Sequence, residues 1–217
     1  MIQAFLFDLD GVLTDTSDYH YQAWKRLGED LGIPFSPKEN EALRGVSRRE
    51  SLHLLLKGRL VSETEAQELM DRKNRYYLEM IEAISPANLL PGAQDILIEL
   101  KVMGIRRAIV SASKNAPQVI ERLNLMPQIN VVVDGRTPAR SKPYPDLFLI
   151  AAEKLKLAAT DCLVLEDAAA GIEAAHAAGM LAVGLGPFER VGAADLVLSS
   201  LEGQKAADIL ARLNKIS

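Results

Sequence analysis

A chain of 217 residues has room for one sizeable hydrophobic core and a second, smaller one, and 48% hydrophobic with 25% charged residues is the composition of a folded globular protein. A formal net charge of −4 supplies no global basic field for nucleic acid or an anionic membrane surface. The single cysteine, Cys162, excludes an internal disulfide and any multi-cysteine metal site, and its apolar setting reads as a small buried hydrophobe.

In chain order, Gln3 to Phe7 is an apolar run short enough for a fully buried strand. It stops at Asp8-Leu9-Asp10-Gly11. Strand alternation would put Asp8 and Asp10 on one face with Leu9 opposite, and Gly11 permits a sharp turn. Burying two such charges requires a cation or a proton; the bland alternative is a strand ending in solvated acids. From Ser17 to about Ser85 no strand is evident. His20, Trp24, Leu27 and Leu31 recur at helical spacing up to Gly32, and a second helix is predicted over Pro37 to Leu43. A third starts at Ser47 with Glu50 three residues on, running to Leu56; Ser62 and Glu65 open a fourth, reaching Ile84.

Beyond Pro91-Gly92, helices and strands alternate. Strands are predicted at Arg106–Ser111, Ile129–Val133, Leu163–Leu165, Leu181–Leu185 and Leu196–Leu198. Helices are predicted at Gly92–Met103, Asn115–Leu123, Pro145–Leu155 and Ala168–Ala178, with a last one from about Leu201. The apolar stretch from Ala168 to Gly186 is interrupted by Glu173, His176 and glycines, so helix, turn and strand fit it better than a membrane span. The pattern predicts an α/β fold: a Rossmann-like parallel sheet with helices on both faces, plus an inserted all-helical domain. The start lacks the basic flank and cleavage site of a signal peptide, so a cytoplasmic protein without membrane or nucleic-acid partners is expected.

Ligands of such sheets bind beyond the carboxyl ends of the strands. Asp8 and Asp10, Ser111 to Asn115, Ser141-Lys142-Pro143 and Glu166-Asp167 all fall there. Singly, each has an ordinary reading as a cap, a turn or a solvated charge; the joint placement is the signal. The carboxylates are hard oxygen donors suited to Mg2+. A lysine, a hydroxyl and helix-start amides suit a phosphate. A carboxylate that attacks phosphorus divides transfer into two steps, with Asp8 as nucleophile and Asp10 as acid and base.

This four-part set resembles the motifs of the haloacid dehalogenase superfamily, in its phosphotransferase branch. Further residues make the chain similar to the β-phosphoglucomutase family: Asp15-Thr16, His20, Arg44-Gly45-Val46-Ser47-Arg48, Glu50-Ser51, Arg72-Lys73-Asn74 and Ser111 to Asn115. The resemblance implies interconversion of β-glucose 1-phosphate and glucose 6-phosphate through an aspartyl phosphate and a bisphosphate. It implies Mg2+ on Asp8, the Asp10 backbone carbonyl, Glu166 and Asp167, with Ser111 and Lys142 steadying the phosphoryl group. Substrate contacts would come from Asp10, His20, Trp24, Gly45, Val46, Arg48, Ser51 and Lys73, and from Ser113, Lys114 and Asn115. Asp15 and Thr16 would form the hinge between a core (1–15 and 88–217) and a cap (16–87). A hexose phosphate is the expected partner and a monomer the expected state.

Alternatives stay open at this level. A sugar-phosphate phosphatase would share the core motifs, and a non-catalytic binding module would need to have lost a core carboxylate. His20 on an apolar helix face is ordinarily structural. Lys73 lies on the stripe of Leu69, Tyr76, Tyr77 and Met80, where an unpaired ammonium is costly. Arg44, Arg48 and Arg49 read either as a solvated helix start or as a phosphate site. The basic run Arg136 to Arg140, Tyr144 and Ala168 depart from the family pattern.

Overall fold

The computed structural model describes residues 1–44 and 46–215. Six strands, β1 (Ala4–Phe7), β2 (Arg106–Val110), β3 (Val131–Val133), β4 (Cys162–Glu166), β5 (Leu181–Leu185) and β6 (Leu196–Leu198), pair in parallel in the order β3-β2-β1-β4-β5-β6. The order reverses direction between β1 and β4, where Phe7 stands opposite Leu165. That switch point is where an open parallel sheet leaves a crevice for a ligand.

Both faces of the sheet are buried, and the period-2 alternation decides which residue goes where. Phe5, Phe7, Ile109, Leu163, Leu165 and Val183 face one apolar cluster; Ala4, Leu6, Ala108, Val110, Val164 and Ala182 face the other. The first is covered by α5 (Ala93–Val102), α6 (Ala116–Arg122) and α10 (Ala206–Leu213). The second is covered by α7 (Asp146–Leu155), α8 (Ala169–Ala177) and the short α9 (Phe188–Val191). Cys162 is fully buried in that second cluster, and burial pushes its thiol up to about 11, so it serves as core.

Between β1 and α5 the chain is helical: α1 (Ser17–Leu31), α2 (Pro37–Asn40), α3 (Arg48–Leu56) and α4 (Glu63–Ile81). Local chemistry sets these limits. Ser47 and Ser62 accept the N–H groups of Glu50 and Glu65 at 3.2 Å each, capping α3 and α4, and Gly32 closes α1 in the left-handed conformation. Trp24, Leu27, Leu52, Leu55, Leu69 and Met70 form a separate apolar cluster, while Tyr77 and Ile81 of α4 join the main core.

Some limits differ from the sequence pattern. β1 stops at Phe7, so Asp8 and Asp10 lie on the turn beyond the strand, with Gly11 at φ 78°. The Pro37–Leu43 helix changes to a tighter 3-10 turn at Glu41, and α4 ends three residues early. The last helix starts at Ala206: Leu201 is buried, its carbonyl accepts the Gln204 N–H at 3.0 Å, and Gly203 turns the chain at φ 68°. No helix among the described residues is long and apolar enough to cross a membrane.

Candidate active site

The strand ends bring four acids and one lysine together. Asp8 follows β1 directly, its N–H donating to Leu165 O at 2.9 Å, and Glu166 is the last residue of β4. Lys142 arrives from the loop after β3. Its ammonium is fully buried and donates to Asp8 Oδ1 at 2.6 Å, to Val110 O at 3.1 Å and to Glu166 Oε1. Burial alone would lower this amine, but Asp8 and Glu166 hold it above the usual lysine range, so it stays charged.

Ligand oxygens of Asp8, Glu166 and Asp167 lie within 4.8 Å of one another. Burial pushes Asp167 up to about 6, with Asp8 adding to the rise against the opposing pull of Arg44, Arg190 and Lys142. Buried hard oxygens this close together are the donor set a divalent cation stabilises, so the residues fit a metal. Two glycines make the crowding possible. A Cβ on Gly11 would collide with the Asp167 carboxylate, and one on Gly171 with that of Glu166.

Asp10 is held from the helical side. Thr16 Oγ1 donates to Asp10 Oδ1 and is itself 3.1 Å from Tyr77 Oη. Burial, then Asp8, raises the Asp10 carboxyl to about 7, and the Thr16 hydrogen bond restrains that rise. A carboxyl titrating near neutrality suits an acid that must later act as a base.

Facing these acids across one cavity are His20, Trp24, Val46, Arg48, Ser51 and Lys73. Lys73 Nζ lies 2.7 Å from His20 Nδ1, 5.0 Å from the Trp24 ring centre and 4.8 Å from that of Tyr77, on which His20 stacks. Burial and the neighbouring Arg48 lower the Lys73 ammonium well below the usual lysine range. Burial and Lys73 likewise keep His20 neutral. Neither Lys73 nor Arg48 has a salt-bridge partner among the described residues, so no acid in this wall offsets either of them when protonated.

The core wall of the cavity is the loop Ser111 to Lys114. Ser111 Oγ accepts the Ser113 N–H at 3.1 Å, and Ser113 Oγ the Asn115 N–H at 3.2 Å. Gly135 lets the next strand-end loop press on this one, since a Cβ there would strike Ala112 O. Asn115 is buried outside the cavity lining, its amide donating to Asn74. Asp15 is also outside it, accepting the Ser17 N–H at 2.9 Å at the start of α1. Gly45 lies outside the described residues. Arg136 and Arg140 are spent locally on Asp134 and Asp146, and Tyr144 is exposed beneath the Arg140 guanidinium at 4.4 Å.

The structure gives Arg44, which the sequence left between solvent and a phosphate, a carboxylate partner, and it adds Arg190, Asn40 and Leu43, which the sequence did not place in the site. Arg44 Nη1 stands 3.1 Å from Asp167 Oδ2, and Arg190 Nε donates to Asp167 O at 2.7 Å while its Nη1 lies 3.6 Å from Glu41. Asn40 and Leu43 line the cavity. Arg190 sits on a four-residue helix in a segment with no periodic signal, and only the folded sheet brings it to Asp167.

The parallel sheet with this acid cluster at its switch point defines the class. The model for haloacid dehalogenase-like hydrolases matches residues 2–179, and the chain belongs to that family, in the haloacid dehalogenase superfamily. Within it, the chain is 45% identical over 201 residues to Beta-phosphoglucomutase of Bacillus subtilis, covering 91% of this chain and 89% of that one. It is 35% identical to Hexitol phosphatase A of Escherichia coli, with 92% of each covered. Among solved structures, β-phosphoglucomutase from Clostridium difficile superposes with a TM-score of 0.95 at 39% identity, covering 99% of this chain and 98% of that one.

Proposed function

We propose that the protein interconverts β-D-glucose 1-phosphate and glucose 6-phosphate, as its β-phosphoglucomutase relatives are named for doing. The observation that carries this reading is the two-ended cavity. Asp8 and Asp10 line one end, with Lys142 buried behind Asp8, and Arg48 and Lys73, without salt-bridge partners among the described residues, line the other wall. A substrate phosphate held at the second end leaves a sugar hydroxyl for the first.

An Asp8 oxygen forms a bond to phosphorus while the bond from phosphorus to the sugar oxygen breaks, and Asp10 gives that oxygen its proton. In the reverse half, Asp10 takes the proton from the other sugar hydroxyl as it attacks the aspartyl phosphate. The bisphosphate made in one half supplies the donor for the next. Lys142 offsets charge beside Asp8 and, with Ser111, steadies the phosphoryl oxygens, while Ser113 and Lys114 contact the substrate. Mg2+, held by Asp8, the Asp10 carbonyl, Glu166 and Asp167, would supply further charge neutralisation.

Residues 16–87 act as a cap over a core of residues 1–15 and 88–217, with the hinge at Asp15 and Thr16. A monomer suffices, since the cavity is complete within one chain, and one unpaired cysteine suits a reducing compartment such as the cytoplasm. The similarity to a hexitol phosphatase motivates a second reading, hydrolysis of a sugar phosphate. The test is to incubate the protein with Mg2+, β-glucose 1-phosphate and a trace of β-glucose 1,6-bisphosphate. Glucose 6-phosphate is expected as the main product; free phosphate as the main product selects the phosphatase.

A further inference from the structure

The wall opposite Asp8 is built around one amide that touches neither end of the cavity. Asn74, next to Lys73 on α4, accepts two hydrogen bonds on the same Oδ1: from Arg48 Nη2 at 2.9 Å and from Asn115 Nδ2 at 2.7 Å. A side-chain carbonyl has two lone pairs, so both are used. Arg48 opens α3, 26 residues before Asn74 in sequence, and Asn115 belongs to the core loop, 41 residues after it. Three segments therefore meet on one atom.

We propose that Asn74 is a positioning residue for the phosphate farther from Asp8. It aims the Arg48 guanidinium into the cavity and locks it to the loop that carries Ser113 and Lys114. The chemistry of the acceptor supports this. A guanidinium has five N–H donors, and this bond uses one of them, leaving the others for phosphate oxygens. A carboxylate at position 74 would orient Arg48 equally well but would neutralise it and repel a dianion. The neutral amide orients without competing for charge. Because the second bond comes from Asn115, the amide that holds Arg48 within the helical segment is itself fixed by the core. That ties recognition of the second phosphate to exclusion of water from the first.

The inference rests on the two-ended reading of the cavity, and its test is independent of where the phosphoryl group finally goes. Consumption of β-glucose 1,6-bisphosphate, with phosphate at both ends, is compared with consumption of acetyl phosphate, which has none at the far end. Asn74→Ala is expected to lower kcat/KM for the bisphosphate relative to acetyl phosphate by about 10- to 100-fold, the worth of a hydrogen bond to a charged group. In an Arg48→Ala background the same substitution is expected to add little, since it acts through that guanidinium. Acetyl phosphate turnover reports that the variant is folded; if Asn74→Ala fails this check, Asn74→Leu, similar in volume and lacking the acceptor, takes its place. Equal losses with both compounds, no loss with either, or full additivity with Arg48→Ala would overturn the role. Free phosphate as the main product of wild-type turnover with β-glucose 1-phosphate would instead remove the mutase reading and leave the selectivity ratio to decide the role of Asn74.

Discussion

Asp10 shows how far a single hydrogen bond governs the chemistry at the residue scale. Its carboxyl is raised to about 7 by burial and by Asp8, and Thr16 pulls in the opposite direction. In the proposed mechanism, attack by a sugar hydroxyl on the aspartyl phosphate needs Asp10 ionised, so kcat/KM should rise with pH through its titration. Thr16→Val removes the hydrogen bond that favours the carboxylate, so the acid limb of the pH profile is expected to move to higher pH. An unmoved limb would mean that Thr16 serves packing against Tyr77 alone. Asp8 and Asp10 are legible from the sequence as a pair because alternating helices and strands locate strand ends. The Thr16 contact is not, since it depends on how α1 leaves the turn after Gly11.

At the scale of elements, α4 combines two demands that oppose each other. Its buried face carries Leu69, Met70, Tyr77 and Ile81, and Lys73 lies among them with 2% of its surface exposed. Burial lowers the ammonium and Arg48 lowers it further. The unfolded chain therefore binds a proton at Lys73 that the native state resists, so stability rises with pH from the native value up to the unfolded one near 10.4. Lys73→Met keeps the apolar stem and removes that penalty. The variant is expected to melt higher near pH 7, by the order of 1 kcal/mol or more, while kcat/KM for the sugar phosphate falls at least about tenfold. Loss of stability in Lys73→Met would contradict an unsatisfied cation waiting for an anion. The apolar stripe around Lys73 predicts the conflict from sequence alone; its resolution through His20, Trp24 and Tyr77 needs the fold.

At the scale of the whole molecule, the helical segment packs Ala23, Tyr77, Ile81 and Ile84 into the main core and adds polar contacts to it, among them Arg44 with Asp167, Arg190 with Glu41, and Asn74 with Asn115. The Arg190–Glu41 pair is partly exposed, and such pairs contribute no more than about 1 kcal/mol each. A phosphate bridging Arg48 and Lys73 would add to these contacts, which suits a site that must exclude water when substrate is bound. The sheet, its order of polar strand ends and the helical insertion follow from periodicity, because they depend on neighbours in sequence. Arg190 and Asn74 do not, because their partners lie across the interface and nothing local marks them. In the proposed reaction a phosphoryl group on Asp8 passes to sugar and not to water. The most direct measurement of that transfer loads Asp8 with a radiolabelled phosphoryl group, adds saturating β-glucose 1-phosphate, and quenches after one turnover. Label recovered in glucose bisphosphate and then in glucose 6-phosphate is the expected result, and label recovered chiefly as inorganic phosphate would contradict it.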